Sequence, residues 1–348
     1  MDRIGQQLGD YILLRLLGRG SEADVYLGQH LYDGRLAAIK VLCTCINNDG
    51  GERFRREAYI LGTLKHPRIV RLLEFHGDAR PPFIVLDYIP GGTLRQLCPK
   101  GSTLSLEKVV SYVAQLADAL QHIHDLTLIH RDIKPENILL GDQQQLFLSD
   151  FGLAVSTSQS CQQEISYMQS VQGVAGTLSY MAPEQLQSHA IQASDQYSLA
   201  IMVYELLCGE RPFQGALTEI LMKQMTVRPP SLRMKNNAIP LGVENVVMKA
   251  LEKDPEMRFR TVHEFSQALA LASRKGLETK YGYNTEALSL KTDDIQLSPE
   301  TTLLLPKQLN KALAVMNQAE KRARSRTLLD SATTVYSPQD AGDLCGCS

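Results

Sequence analysis

One run of eight residues constrains this chain more than any other stretch: His130-Arg131-Asp132-Ile133-Lys134-Pro135-Glu136-Asn137. It is followed by the apolar Ile138-Leu139-Leu140 and, one hairpin further on, by Asp150-Phe151-Gly152. The order of the groups is chemical. Asp132 can accept a hydroxyl proton, and Lys134, two residues on, can neutralise charge on a transferred group. Asn137 and Asp150 offer amide and carboxylate oxygens, the donors that a hard cation such as Mg²⁺ prefers. Each residue alone fits a capped turn, but the ordered set at these spacings points to phosphoryl transfer.

Composition narrows the setting. The 348 residues can bury one large core or two moderate ones, and 44% hydrophobic with 21% charged residues is ordinary for a soluble globular protein. A net charge of -2 gives no reason to expect a nucleic-acid partner. No apolar run reaches the roughly 20 residues of a membrane-spanning helix, so no transmembrane segment is expected. Met1-Asp2-Arg3-Ile4-Gly5 lacks the charged and apolar regions of a signal peptide. Seven scattered cysteines suggest no disulfide framework, and the expected location is a reducing cytoplasm.

Along the chain, Tyr11 to about Leu86 reads as strands broken by Gly and Asn-Asp-Gly turns. Within it, Glu52–Leu64 is an amphipathic helical stretch with Phe54, Ala58, Ile60, Leu61 and Leu64 near helical spacing. Helical patterns then dominate, over Leu106–His124, Ala193–Cys208, Leu217–Met225 and Val243–Leu251, with Pro212 and Pro229-Pro230 as stops. The pattern predicts an α+β unit, a small β-rich lobe followed by a larger helical lobe with a cleft between them. The packed pattern fades near Ser273 into a Ser/Thr-rich tail.

Two further stretches suit phosphate. Gly18-Arg19-Gly20-Ser21-Glu22-Ala23-Asp24-Val25 lies between strand-like runs, and its glycines let backbone N–H groups approach phosphate oxygens. On its own a plain hairpin is the default reading of such a motif. Lys40 is a charge inside the apolar strand Ala37-Ala38-Ile39-Lys40-Val41, and Glu57 on the following helix is its expected partner. The other candidates, Glu52 and Asp49, sit too near the helix start to face the cleft. A Lys–Glu pair of this type anchors nucleotide phosphates.

Together these stretches, with Arg56-Glu57, His66-Pro67, Asp87-Tyr88-Ile89-Pro90-Gly91-Gly92, Gly176-Thr177-Leu178-Ser179-Tyr180-Met181-Ala182-Pro183-Glu184-Gln185, Asp195-Gln196-Tyr197-Ser198-Leu199-Ala200 and Arg258, resemble the eukaryotic-type (Hanks-type) Ser/Thr protein kinases, most of all their bacterial members. The Pro-Glu-Gln ending and the Asp-x-Tyr-Ser-Leu pattern carry the bacterial leaning. Departures are Ala23 and Ala200, each in place of Gly. The resemblance implies a two-lobed kinase fold over about residues 11–272, with lobes of about 11–86 and 90–272. It implies an ATP-dependent enzyme using Mg²⁺, with Mn²⁺ as a substitute, that phosphorylates Ser/Thr hydroxyls of protein substrates in cytoplasmic signalling. By the same resemblance Leu17, Gly18, Gly20, Val25, Ala38, Lys40, Glu57 and Leu139 line the nucleotide site, Leu86 is its gatekeeper, and Asp87 and Ile89 meet the adenine edge. Glu184 and Arg258 would pair beneath the substrate loop, Asp195 would brace the catalytic loop, and Thr177 would line the peptide site.

The Ser/Thr-rich segment between Asp150 and Glu184, near Arg131, suits ordering by phosphorylation. Autophosphorylation is expected there, Ser170 first, then Ser166, Thr157 and Ser160, with self-association for reaction in trans. The tail, 273–348, carries one amphipathic helical stretch at about 307–326, with Leu309, Leu313, Met316 and Ala319 on one face and Lys311, Lys321, Arg322, Arg324 and Arg326 supplying charge. Partner docking, membrane-surface binding, packing on the core and a solvated helix all remain open for it. Two alternatives compete with the leading reading. A catalytically silent scaffold conflicts with the presence of Lys40, Asp132, Asn137 and Asp150 together. A small-molecule phosphotransferase conflicts with the long hydroxyl-rich segment ending in Ala182-Pro183-Glu184.

Overall fold

Alternating burial shapes the first half of the chain. Tyr11 and Leu13 are buried between exposed Ile12 and Leu14, and Ala37, Ile39 and Val41 are buried around half-buried Ala38 and Lys40. That period of two is the signature of strands with one covered face. In the computed structural model, which describes residues 3–20, 22–43, 48–156 and 178–280, these segments form a six-stranded antiparallel sheet. Its strands are β1 (Gln7–Leu8), β2 (Tyr11–Arg19), β3 (Ala23–His30), β4 (Leu36–Leu42), β5 (Leu72–His76) and β6 (Phe83–Asp87), in the order β1-β2-β3-β4-β6-β5. Tyr11, Leu13, Tyr26, Ala37, Ile39, Val41, Phe83 and Val85 make the core of one face. Across the sheet, Val25 pairs with Lys40 and Lys40 with Ile84, while Ala38 pairs with Leu86. Antiparallel partners share a face, so these residues form the opposite side.

Helix α1 (Asn48–Thr63) covers part of that opposite side, Phe54 and Ala58 packing with Ala23 and Ile84. It begins earlier than the expected Glu52: Asn48 and Asp49, read from sequence as part of a turn, belong to its first turn. After β6 the connector reaches a short capped helix, α2 (Leu94–Leu97), in which Thr93 and Gln96 bond reciprocally. Gly91 N–H donates to Leu140 O at 2.9 Å, and Leu140 N–H to Gly92 O at 2.9 Å. A Cβ on Gly91 would stand 2.4 Å from the Leu140 carbonyl oxygen, so the approach requires glycine.

The second half is helical. Its helices are α3 (Leu106–Asp125), α4 (Pro183–Leu186), α5 (Gln192–Cys208), α6 (Leu217–Thr226), α7 (Leu232–Lys235), α8 (Leu241–Ala250) and α9 (Val262–Lys280), of which α3, α5, α7, α8 and α9 share one large core. α5 is buried along its whole length, from Ser194 to Leu207, and is the pillar against which the others pack. It ends at Gly209, whose φ of 81° gives the left-handed cap. Two short antiparallel pairs sit on this half: β7 (Leu128–Ile129) with β10 (Val155–Ser156), and β8 (Ile138–Leu140) with β9 (Leu146–Leu148).

All described residues belong to one compact unit. Two boundaries differ from the sequence expectation. β1 lies ahead of residue 11 and pairs with the start of β2, and α9 continues past 272, with Ser273 5% exposed against the core. Among the described residues no helix is long and apolar enough to cross a membrane. The phosphorylation candidates Thr157, Ser160, Ser166 and Ser170, the substrate-loop Thr177 and the tail helix at 307–326 lie outside the described residues.

Candidate active site

The loop of residues 130–137 is held from below by one carboxylate. Asp195, on α5 and 0% exposed, accepts the backbone N–H of His130 at 2.9 Å and of Arg131 at 2.8 Å, and lies 2.8 Å from His124 Nε2. Burial alone would push this carboxyl up, but the bond to His124, the histidine charges and the Arg131 amide hold it below the usual range. Arg131 itself takes φ 71°, a left-handed turn that costs about 1 kcal/mol or more and persists because both neighbouring amides are fixed. From above, β7 pairs with β10, which brings the segment around Asp150 alongside. Ser149 N–H and Oγ both donate to Asn137 O, at 3.0 and 2.8 Å. The His130 and Phe151 rings meet edge to face at 4.7 Å.

Within this frame Asp132 is buried, at 6% exposure. Lys134 Nζ donates to its Oδ2 at 2.7 Å, and Asn137 Nδ2 donates to the same oxygen at 2.8 Å and to the Asp132 carbonyl at 2.9 Å. Burial pushes the Asp132 carboxyl up, and the Lys134 charge offsets this only in part. A carboxylate raised in this way is a better proton acceptor than a free one.

The sheet contributes the facing groups. Lys40 Nζ donates to both Glu57 oxygens, at 2.6 and 2.7 Å, and to Asp150 Oδ1 at 3.1 Å. Burial works against the ammonium, but Asp150 and Glu57 outweigh it and keep Lys40 charged well above its ordinary range. The Lys40 charge in turn holds Asp150 down at about 2, whereas burial pushes Glu57, 3% exposed, upward. Asp150 sits at φ 63°, a second strained residue in the same site. Its side chain is 46% exposed, so it keeps oxygen lone pairs that protein groups do not fill.

Beside these charges lies an apolar wall. Leu17, Val25, Ala38, Leu86, Ile89 and Leu139 are all half-buried, and Val25, Ala38 and Leu86 lie on the face of the sheet that carries Lys40. Gly18 pairs with Val25 across the β2–β3 hairpin, and Gly20 N–H donates to Ala23 O at 3.0 Å, so the glycine motif is a hairpin tip. Asp87 donates its N–H to Arg71 O at 3.0 Å and pairs its carboxylate with the Arg71 guanidinium at 3.1 and 3.2 Å.

On the far side of the loop, Glu184 and Arg258 form a buried pair, with two N–H···O bonds of 2.8 Å. The sequence did not single out a second network. Arg95 on α2 donates to Glu136 at 2.8 Å, to the Tyr180 hydroxyl at 2.6 Å and to Glu205 at 3.1 Å, and Tyr180 OH also donates to Glu205. Gln185 Nε2 donates to Arg131 O at 2.8 Å. The usable signal was Glu205, one charge inside a helix that is otherwise apolar at its C-terminal end.

A two-lobed fold with a carboxylate, two amide- or carboxylate-type oxygen donors and a Lys–Glu pair around one cleft defines the class, and sequence comparison agrees with it. The protein kinase domain family matches residues 11–269, and the chain belongs to that family, on the side of its bacterial Ser/Thr kinases. It is similar to the serine/threonine-protein kinase PrkC of Bacillus subtilis (strain 168), 32% identical over 335 residues, covering 95% of this chain and 49% of that protein. It is also similar to serine/threonine-protein kinase pkn2 of Myxococcus xanthus, 34% identical over 274 residues, covering 76% of this chain and 32% of the relative. A third relative is the probable serine/threonine-protein kinase PknB of Lactococcus lactis subsp. lactis (strain IL1403), 32% identical over 295 residues, covering 82% and 46%. The chain thus spans about half or less of the length of these curated relatives.

Proposed function

We propose that this chain is a Ser/Thr protein kinase that transfers the terminal phosphoryl group of ATP to hydroxyls of protein substrates. The observation that carries the reading is the convergence of Lys40, Glu57 and Asp150 with Asp132, Lys134 and Asn137 across the two lobes. Asp132 takes the proton of the acceptor hydroxyl on a carboxylate oxygen as the new O–P bond forms. Lys134, bonded to that carboxylate, holds its orientation and offsets charge at the reacting phosphoryl group. Lys40, fixed by Glu57, is the cation for the nucleotide's other phosphates, and the half-buried apolar wall suits the flat face of adenine.

The donor chemistry of the site suits a divalent metal. Asn137 commits its Nδ2 to Asp132, which turns its Oδ1 to the other side of the amide, and Asp150 is ionised and partly open. These two residues would hold Mg²⁺, with Mn²⁺ as a substitute, and the ion when bound neutralises developing phosphate charge. The reading extends to autophosphorylation between residues 157 and 177, with Ser170 first, through self-association in trans. It extends as well to cytoplasmic signalling.

Transfer of labelled phosphate from ATP to casein with Mg²⁺, comparing the parent with Asp132→Asn, tests the reading. A fall in kcat of about 10²–10⁴ is expected in a variant that keeps its fold. Equal transfer by both proteins would reject it.

A further inference from the structure

Beneath residues 178–182 runs a row of hydrogen bonds that the phosphoryl-transfer groups do not touch. Two successive carbonyls of this loop are gripped from the core: Ser198 Oγ on α5 donates to Tyr180 O at 2.8 Å, and Gln224 Nε2 on α6 donates to Ser179 O at 2.8 Å. The second grip heads a longer relay. Gln224 Oε1 accepts from Tyr197 OH at 2.6 Å, and Tyr197 OH accepts from Lys253 Nζ at 3.0 Å. The ammonium also reaches Lys223 O at 3.4 Å and stands 4.4 Å over the Phe213 ring. Gln224 and Tyr197 are both 0% exposed, so no solvent replaces these partners.

The relay fixes a direction. An amide whose oxygen is engaged by a hydroxyl can present only its NH₂ to the other side, and here that side is the Ser179 carbonyl. The Tyr197 hydroxyl has one proton; because Lys253 donates to its oxygen, that proton goes to Gln224. An ammonium is an expensive way to arrange this. Burial, and then the neighbouring Arg258 charge, pull Lys253 down to about 7, whereas an apolar side chain of similar length would pack against Phe213 and Tyr197 without that penalty. A costly polar group placed at the end of a buried, fully hydrogen-bonded row marks a geometry that matters beyond stability.

We propose that Lys253, Tyr197 and Gln224 are positioning residues for the protein substrate, acting through the Ser179 carbonyl on the peptide-facing loop; this deepens the kinase reading and rests on it. In the hydrogen bonds among the described residues given above, Gln224, Tyr197 and Lys253 have no partner in common with Lys40, Glu57 or Asp150, so their loss weakens peptide binding and leaves nucleotide handling alone.

Steady-state kinetics with one peptide substrate, varying peptide and ATP separately, test this on the full chain. Gln224→Met is expected to raise the peptide KM about tenfold, and Tyr197→Phe, which removes one oxygen, about threefold, with ATP KM unchanged within about twofold. The double variant is expected to be no worse than Gln224→Met alone, because both act through one contact. An unchanged peptide KM, equal rises in both KM values, or additive effects each overturn the proposal. If Gln224→Met does not fold, Tyr197→Phe decides on the same KM comparison. A parent protein that transfers no phosphate fails at an earlier point: it overturns the kinase reading and this proposal together.

Discussion

Two buried ion pairs, one in each half of the molecule, are alike in composition and opposite in design. Arg258 spends its whole guanidinium on protein: both terminal nitrogens on Glu184, and further bonds to the carbonyls of Ala193, Glu252 and Lys253 at 2.8 to 3.2 Å. Lys40 is shared between Glu57 and an Asp150 that is 46% exposed. Arginine's planar fork matches a carboxylate and leaves nothing over, while an ammonium between two carboxylates can trade one of them for an incoming anion. A saturated pair holds architecture together, and an unsaturated one is available for chemistry.

The sharpest way to break this comparison is Arg258→Met. It strands Glu184 in the core, and chemical denaturation is expected to show a loss of about 3–5 kcal/mol. Activity per folded molecule should survive; a variant that folds normally yet is inactive would contradict a purely architectural role. Next comes Lys40→Met, expected to lower kcat/KM by about 10²–10³, the usual cost of removing one preorganised charge-stabilising donor. Its stability loss should be smaller than that of Arg258→Met, since Glu57, already pushed up by burial, can take a proton. Matching stability losses in the two variants would erase the distinction.

The smallest effect concerns Lys253, which lies against the saturated pair and faces the charges of Arg258, Glu252 and Glu184. It titrates near 7 in the folded chain and at its ordinary 10.5 when unfolded. Between those values the unfolded chain binds a proton that the folded one lacks, so stability rises with pH across that window, and the burial penalty is full below 7. The slope from one such group is at most about 1.4 kcal/mol per pH unit. Lys253→Met should remove this contribution, so urea melts of both proteins at pH 7 and 9.5 should converge or cross as pH rises. A constant difference would place the Lys253 titration elsewhere.

Much of this was legible in the sequence, for a physical reason. Lys40, Glu57, Asp132, Asn137 and Asp150 stand out because charged and amide groups are conspicuous in apolar surroundings, and the structure gathers them at one cleft. Strands β2 to β6 lie within the stretch read as strand-rich from its short apolar runs and turn residues, and α1 and α3 follow from helical patterning. What was not legible was short or distant. α2, α4 and α7 have four residues each, too few to display a period. The bonds of Arg95 to Tyr180 and Glu205, and of Lys253 to Tyr197, join residues far apart in the chain, and nothing local announces such partners. α9 was missed because its apolar residues thin out before it ends.

The close approach of Gly91 to Leu140 has a mechanical consequence. Two hydrogen bonds rivet the connector to β8 at that point, so any swing of the sheet relative to the helices pivots ahead of it, between Asp87 and Pro90. Leu139 and the rivet travel as one piece. Were the sheet to swing, a ligand resting on that floor would keep its footing while the roof above it moved.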